Sequence, residues 1–167
     1  LDFPRHLGAN IRKAEFILPL TQETKAQAQK LLDKYCLRER QFIAVNPVAY
    51  WETKLWDNEK FAKLGDLIKK ELKLDVVFTG SKKEDAEAIT SRMTAKGINI
   101  GGETSLPELA EIYKSAACVI TTDSGPMHLA AAAGTPVVAL FGPTNPARTG
   151  PYGSGHTIVR MHLPCSP

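Results

Sequence analysis

From residue 41 onward the chain alternates short, β-branched apolar runs with longer amphipathic stretches, and few folds accept that pattern. Strands buried on both faces of a sheet read as unbroken apolar runs, and the helices between them supply the cover. The expected fold is therefore α/β: a Rossmann-like parallel sheet with helices on both faces. Strands are expected at 41–45, 75–78, 98–100, 118–122, 136–141 and 157–160. Residues 1–20 carry little periodicity and read as a linker with a short strand at 16–18, which places the folded domain at 21–167.

Helix starts are marked by capping residues. Thr21 can cap a helix over 22–35 that turns Ala28, Leu31, Leu32 and Tyr35 to one face, and Asp57 one over 58–72 with Phe61, Leu64, Ile68 and Leu72 inward. A helix over 83–94 would bury Ala86, Ile89 and Met93, and Ser105 with Glu108 forms a capping box for a helix to about residue 115. A last helix is expected at 126–133. Open α/β sheets bind ligands beyond the carboxyl ends of their strands. Topology alone thus directs attention to the loops at 46–57, 79–83, 101–105, 122–126 and 141–150.

Composition excludes several classes. At 167 residues the chain is the size of one domain with a complete alternating core, and it is expected to be a monomer. A net charge of +3 is too small to imply nucleic acid as a partner. No apolar run approaches the roughly 20 residues of a membrane span. Leu1 opens a mixed stretch with Asp2, Arg5 and His6, unlike a signal peptide. Cys36, Cys118 and Cys165 are too widely spaced for a disulfide framework or a zinc site and suit a reducing cytoplasm. The sequence opens without Met and stops at Leu-Pro-Cys-Ser-Pro, so it reads as a piece of a longer protein.

The densest chemical signal is Thr121-Thr122-Asp123-Ser124-Gly125-Pro126-Met127-His128, followed by Leu129 and the run Ala130-Ala131-Ala132-Ala133. A strand ends in polar residues, turns through Ser-Gly and opens into a helix. The first amides of a helix lack internal partners and carry the positive end of its dipole, which suits a phosphate or diphosphate. Gly125 allows close approach of a ligand, the small alanines let the helix sit tight on the sheet, and Asp123 can accept hydrogen bonds from sugar hydroxyls. The ordinary alternative is that Asp123 and Ser124 cap the helix and that His128 is structural.

Two further loops carry candidates. In Asn46-Pro47-Val48-Ala49-Tyr50-Trp51-Glu52-Thr53-Lys54-Leu55-Trp56, Lys54 can neutralise a phosphate and Trp51 and Trp56 can line a pocket. The alternative is a solvated Lys between packing aromatics; even as a phosphate contact, a solvated loop Lys is expected to leave the fold untouched when removed. In Thr79-Gly80-Ser81-Lys82-Lys83-Glu84-Asp85, either acidic residue can hold a ribose or complement a helix dipole. Gly80, Ser81, Gly102 and Thr104 can touch a nucleotide through their turns, with capping of the next helix as the alternative at 101–105.

Other chemistries lack their residues. No Gly-x-Gly-x-x-Gly or Walker A pattern follows a strand, against NAD and NTPase readings, and Ser124 stands outside a Gly-x-Ser-x-Gly elbow. No Asp-x-Asp pair is present to hold a metal–diphosphate. His6, His128, His156 and His162 show no ligand spacing. Neither a metal nor a cofactor is expected.

Asp-Ser-Gly-Pro-Met-His-Leu-Ala-Ala-Ala (123–132) with Gly-Thr-Pro-Val-Val-Ala-Leu-Phe-Gly-Pro-Thr (134–144) resembles the signature of the glycosyltransferase family 9 heptosyltransferases. Thr53-Lys54-Leu55-Trp56 is similar to that family's Lys-x-Trp segment and Thr79-Gly80-Ser81 to its glycine turn. Residues 104–110 and 148–153 fit as well, so the resemblance covers about 41–153. It implies a GT-B architecture in which this chain is the C-terminal half and binds ADP-heptose, while the N-terminal half supplies the lipid A–core acceptor site and the catalytic base. By resemblance, Lys54 contacts the donor phosphates and Asp123 the sugar, and Ser124, Gly125, Pro126, Met127 and His128 form the diphosphate site. Where some relatives carry a ribose-binding Glu, this sequence has Lys82. The resemblance further implies a cytoplasmic enzyme working at the inner-membrane surface. Its rivals are a nucleotide-sugar epimerase of the same architecture and a non-catalytic nucleotide-binding module.

Overall fold

The Thr21 hydroxyl accepts the Thr24 amide at 3.1 Å and so starts the first helix, α1 (Gln22–Lys34), in a computed structural model that describes residues 6–8, 10, 15–161 and 163. Half of the expected linker, together with His162 and Cys165, lies outside the described residues. Residues 15–20 form no regular element, so the strand expected at 16–18 is absent. Phe16 instead packs edge-on against Tyr152 with ring centroids 5.2 Å apart.

The remaining elements follow the expected alternation. After β1 (Phe42–Asn46) come α2 (Asn58–Leu67), β2 (Asp75–Phe78), α3 (Glu84–Thr90), β3 (Ile98–Asn99), α4 (Leu106–Ser115), β4 (Cys118–Thr122), α5 (Gly125–Ala132), β5 (Val137–Phe141), a short α6 (Pro146–Thr149) and β6 (Thr157–Arg160). Asp57 caps α2 by accepting the Lys60 amide at 3.1 Å, and Ser105 and Glu108 close the expected capping box on α4.

Two helix ends differ from expectation. Residues Ile68–Leu72 continue α2 as a π-helical turn, which ends at Lys73 in the left-handed region. The wider turn rotates Leu72 off the apolar face, and it is 57% exposed where the helical spacing predicted burial. Helix α3 stops at Thr90 because the Asp66 carboxylate accepts the amides of Thr94 at 3.0 Å and Ala95 at 2.7 Å, drawing the chain out of the helix.

All neighbouring strands pair in parallel, in the order β3-β2-β1-β4-β5-β6. One face of the sheet packs Ala28 and Leu32 of α1, Ile112 and Tyr113 of α4, and Met127 and Ala130 of α5 against Phe42, Ala44, Val119 and Ala139. The other packs Phe61 and Ala62 of α2 and Ala86 and Ile89 of α3 against Ile43, Val45, Val76 and Phe78. Beyond α2 that second face carries an apolar groove of about 760 Å3, lined by Trp56, Leu64, Ile120, Val138, Leu140 and Val159 among others.

The strand order reverses between β1 and β4, where Asn46 lies beside Thr121. This is the switch point at which the loops of such a sheet diverge and open a crevice. Its floor is a buried polar network. Thr79 Oγ1 shares a hydrogen bond with Tyr113 Oη at 3.1 Å, accepts one from Asn46 Nδ2 at 3.1 Å and donates to the Val45 carbonyl at 3.4 Å. Burial, only partly offset by these bonds, pushes the Tyr113 hydroxyl up to about 12.

Tyr113→Phe keeps the ring and removes the hydroxyl, so a stability loss of about 1 kcal/mol is expected. The sign with pH is also fixed. The unfolded phenol ionises near 10.0 while the folded one stays neutral, so the parent loses stability as pH rises from there toward about 12. Urea melts of both proteins on either side of pH 10.0 check this: the variant should lack that part of the alkaline decline, and equal slopes would refute it.

Candidate functional site

The site is assembled by the loops after β1, β4 and β5. Thr122 at the end of β4 donates through Oγ1 to the Val48 carbonyl at 2.8 Å, tying the β1 loop across the switch point. That loop then makes a single 3-10 turn, Glu52–Lys54, which carries Lys54 back over the sheet. Lys54 Nζ lies 2.6 Å from Asp123 Oδ2. The same carboxylate oxygen accepts a hydrogen bond from Thr144 Oγ1 at 2.5 Å, from the turn after β5. The Asp123 side chain is 4% exposed and that of Lys54 20%.

This pairing corrects the picture of Lys54 as a solvated loop residue. Its amine is the counter-ion of a buried carboxylate, and removing it leaves that charge with one neutral donor. Its removal is therefore expected to lower stability rather than leave the fold untouched.

Helix α5 begins without a side-chain cap. Ser124 stands at its N-cap position in extended geometry, but its hydroxyl turns back to the Thr122 carbonyl at 3.3 Å and makes no bond to a helix amide. The Asp123 carboxylate is engaged with Lys54 and Thr144. The capping alternative for both residues is thereby set aside, and the helix dipole opens onto the cleft with no acidic side chain in its first turn. At Gly125 an added Cβ would meet no atom within 4 Å, so the backbone there is open to approach.

Ser124, Gly125 and Pro126 line a cleft of about 250 Å3 together with Asn46, Tyr50 and Ser81. His128 is exposed on the first turn of α5. Met127 is different: its side chain is fully buried in the core, and its amide donates to the Ser124 carbonyl at 3.1 Å, so its side chain takes no part in the cleft. Trp56 packs edge-on against Phe61, centroids 4.9 Å apart, over the apolar groove, whereas Trp51 is largely exposed against Tyr50.

The glycine turns sit side by side, with the Gly102 amide donating to the Gly80 carbonyl at 3.0 Å. A Cβ at Gly101 would stand 2.3 Å from the Lys82 carbonyl oxygen, so only glycine permits this contact. Ser81 Oγ and the Lys82 amide donate to Asp85 Oδ2 at 3.1 and 2.9 Å, so Asp85 closes its own turn. Thr104 is placed away from the cleft, in a separate depression with Lys34 and Glu103, where Glu103 binds Lys34 and Tyr35 at 2.5 Å each. Sequence reasoning missed Thr144, Asn46 and Tyr50 as parts of the site. The signals were present, since all three stand in, or enter, loops at the carboxyl ends of strands.

Among the described residues no group of three or more His, Cys, Asp or Glu side chains converges as a metal site. No described helix is long and apolar enough to cross a membrane.

Residues 5–167 match the family model described as glycosyltransferase family 9 (heptosyltransferase). The chain belongs to glycosyltransferase family 9. Within that family it is 32% identical over 152 residues to lipooligosaccharide heptosyltransferase 2 of Haemophilus influenzae, a match covering 85% of this chain and 44% of that protein. A solved family 9 glycosyltransferase from Veillonella parvula superposes with a TM-score of 0.87 at 28% identity, over 96% of this chain and 47% of that one. The E. coli ADP-heptose lps heptosyltransferase II superposes with a TM-score of 0.70 at 27% identity, over 92% of this chain and 49% of that one. The chain thus spans about half the length of the relatives it matches. Its six-stranded parallel sheet with helices on both faces is the fold of the matched part of those glycosyltransferases.

Proposed function

We propose that this chain is the C-terminal, donor-binding half of a heptosyltransferase that transfers heptose from ADP-heptose to the lipid A–core acceptor with inversion. The observation that carries the reading is the meeting of Lys54 and Asp123 at the switch point, beside a helix start with no capping side chain, in a family 9 chain. The acceptor hydroxyl attacks the anomeric carbon as ADP leaves, so charge develops on the diphosphate. In this reading the start of α5, open to approach at Gly125, and the Lys54 ammonium meet that charge without a metal. Asp123 then faces the sugar hydroxyls. Ser124, Gly125, Pro126 and His128 form the wall of the diphosphate site. Gly80 and Ser81 border the nucleoside, and the Gly102 turn supports theirs.

The acceptor site and the base belong, in this reading, to the other half of the enzyme, which works in the cytoplasm at the inner-membrane surface. The donor half alone is a monomer that binds donor and does not turn it over. Calorimetric titration of the chain with ADP, UDP, GDP and adenosine tests the proposal. ADP should bind tightest and adenosine far more weakly. Binding of none of the nucleoside diphosphates, or of adenosine as tightly as ADP, would overturn it. Heptose transfer by the chain alone would show instead that the base lies within these residues.

A further inference from the structure

We propose that Thr144 is a positioning residue for the donor diphosphate, acting through Asp123 on Lys54. The inference rests on the donor-binding reading above and adds a residue to it.

Two donors meet on one oxygen. Lys54 Nζ and Thr144 Oγ1 stand 2.6 and 2.5 Å from Asp123 Oδ2, and the carboxylate is almost wholly shielded from water. A diphosphate arriving at the start of α5 draws the Lys54 ammonium toward itself. The Asp123 carboxylate then loses its counter-ion while still buried, which is costly unless another donor stays with it. Thr144 is that donor. By retaining one charge-assisted hydrogen bond on Asp123, it lowers the cost of releasing Lys54 to the ligand.

The local structure holds Thr144 in place for this task. It precedes Asn145, whose side chain caps α6 by accepting the Ala147 amide at 2.9 Å, with Pro146 fixing the first helical position. On its other side the Gly142 backbone abuts the Lys54 turn, where an added Cβ would lie 3.1 Å from the Thr53 carbonyl oxygen. The turns bearing Thr144 and Lys54 therefore pack against each other, with Asp123 between their side chains. No proton or covalent bond changes hands.

Without the Thr144 hydroxyl, Lys54 is, among the described residues, the one donor left on Asp123 Oδ2 and is harder to draw away. Thr144→Val, nearly isosteric, should weaken ADP binding about tenfold, the size of one charge-assisted hydrogen bond. Adenosine binding should be unchanged. Thr144→Ser restores the hydroxyl and should bind ADP within about twofold of the parent, a fraction of that single bond. With Asp123→Ala in place, Thr144→Val should have no further effect, because there is no carboxylate left to hold.

Calorimetry on the chain and these variants, with Thr144→Ala beside Thr144→Val and melting curves for each, decides the matter. The inference is overturned if Thr144→Val binds ADP like the parent, if ADP and adenosine weaken together, or if Thr144→Ser fails to restore binding. It is equally overturned if the Thr144→Val effect persists without Asp123. A parent that binds no nucleoside diphosphate overturns the donor-binding reading, and this inference with it.

Discussion

Lys54→Ala is expected to bind ADP between about tenfold and a hundredfold more weakly than the parent chain. One charge-assisted contact to a diphosphate is worth about 1.5–3 kcal/mol, and about 1.4 kcal/mol is one decade of affinity. Adenosine carries no phosphate, so its affinity should not move. Added salt should narrow the gap between variant and parent, since a contact reachable by solvent is screened. The same substitution should lower stability by about 1–3 kcal/mol, because Asp123 stays buried with only the Thr144 hydroxyl beside it. Titrations with ADP and adenosine at two salt concentrations, and a urea melt, read all of these effects. If ADP and adenosine weaken together, Lys54 shapes its loop. If stability falls and ADP binding does not, Lys54 serves Asp123 alone.

Asp123→Ala should separate the sugar from the nucleotide. With the carboxylate gone, no other described acidic side chain pairs with Lys54 to compete with a diphosphate, so ADP affinity should hold or rise. The advantage of ADP-heptose over ADP should instead shrink by roughly tenfold to a hundredfold, as charge-assisted bonds from Asp123 to the sugar hydroxyls are lost. Helix α5 should be unaffected, because the Asp123 carboxylate bonds Lys54 and Thr144 and leaves Ser124 at the N-cap. Paired titrations with ADP and ADP-heptose provide the ratio. An equal fall for both ligands, with a lower melting temperature, would make Asp123 a structural residue only.

Much of the frame is legible along the chain. Strands β2, β4 and β6 begin and end where their apolar runs and flanking turns predict. Helices α1, α2 and α4 start at Thr21, Asp57 and Ser105, since a cap is a contact within one turn and its residues are neighbours in sequence. Departures arise where a distant residue intervenes or where a helix changes its winding. Asp66 ends α3 from another helix, and a π turn lifts Leu72 out of the core.

The candidate site divides in the same way. Lys54, Asp123 and the Ser124–Gly125 turn could be singled out by residue type in a strand-end loop. Their grouping could not, because the contact of Lys54 with Asp123 exists only once β1 lies beside β4. Thr144 is an ordinary threonine until that oxygen is found beside it. Met127 shows the opposite error. Its place in the signature made it a candidate, yet on a helix one residue can face the core while its neighbours face the cleft.

The seam between β1 and β4 also bears on how the molecule acquires its shape. The chain completes β1, β2 and β3 as sequence neighbours and returns through α4 to lay β4 on the far side of β1. Pairing across that seam is the non-local step, and non-local pairings are slow to form because the intervening chain must be closed first. A half-assembled sheet that has β1, β2 and β3 alone holds Lys54 without Asp123. On the donor-binding reading, nucleotide that needs both loops should bind only the finished sheet and stabilise it by mass action. The donor would then, on that reading, clasp the seam between β1 and β4.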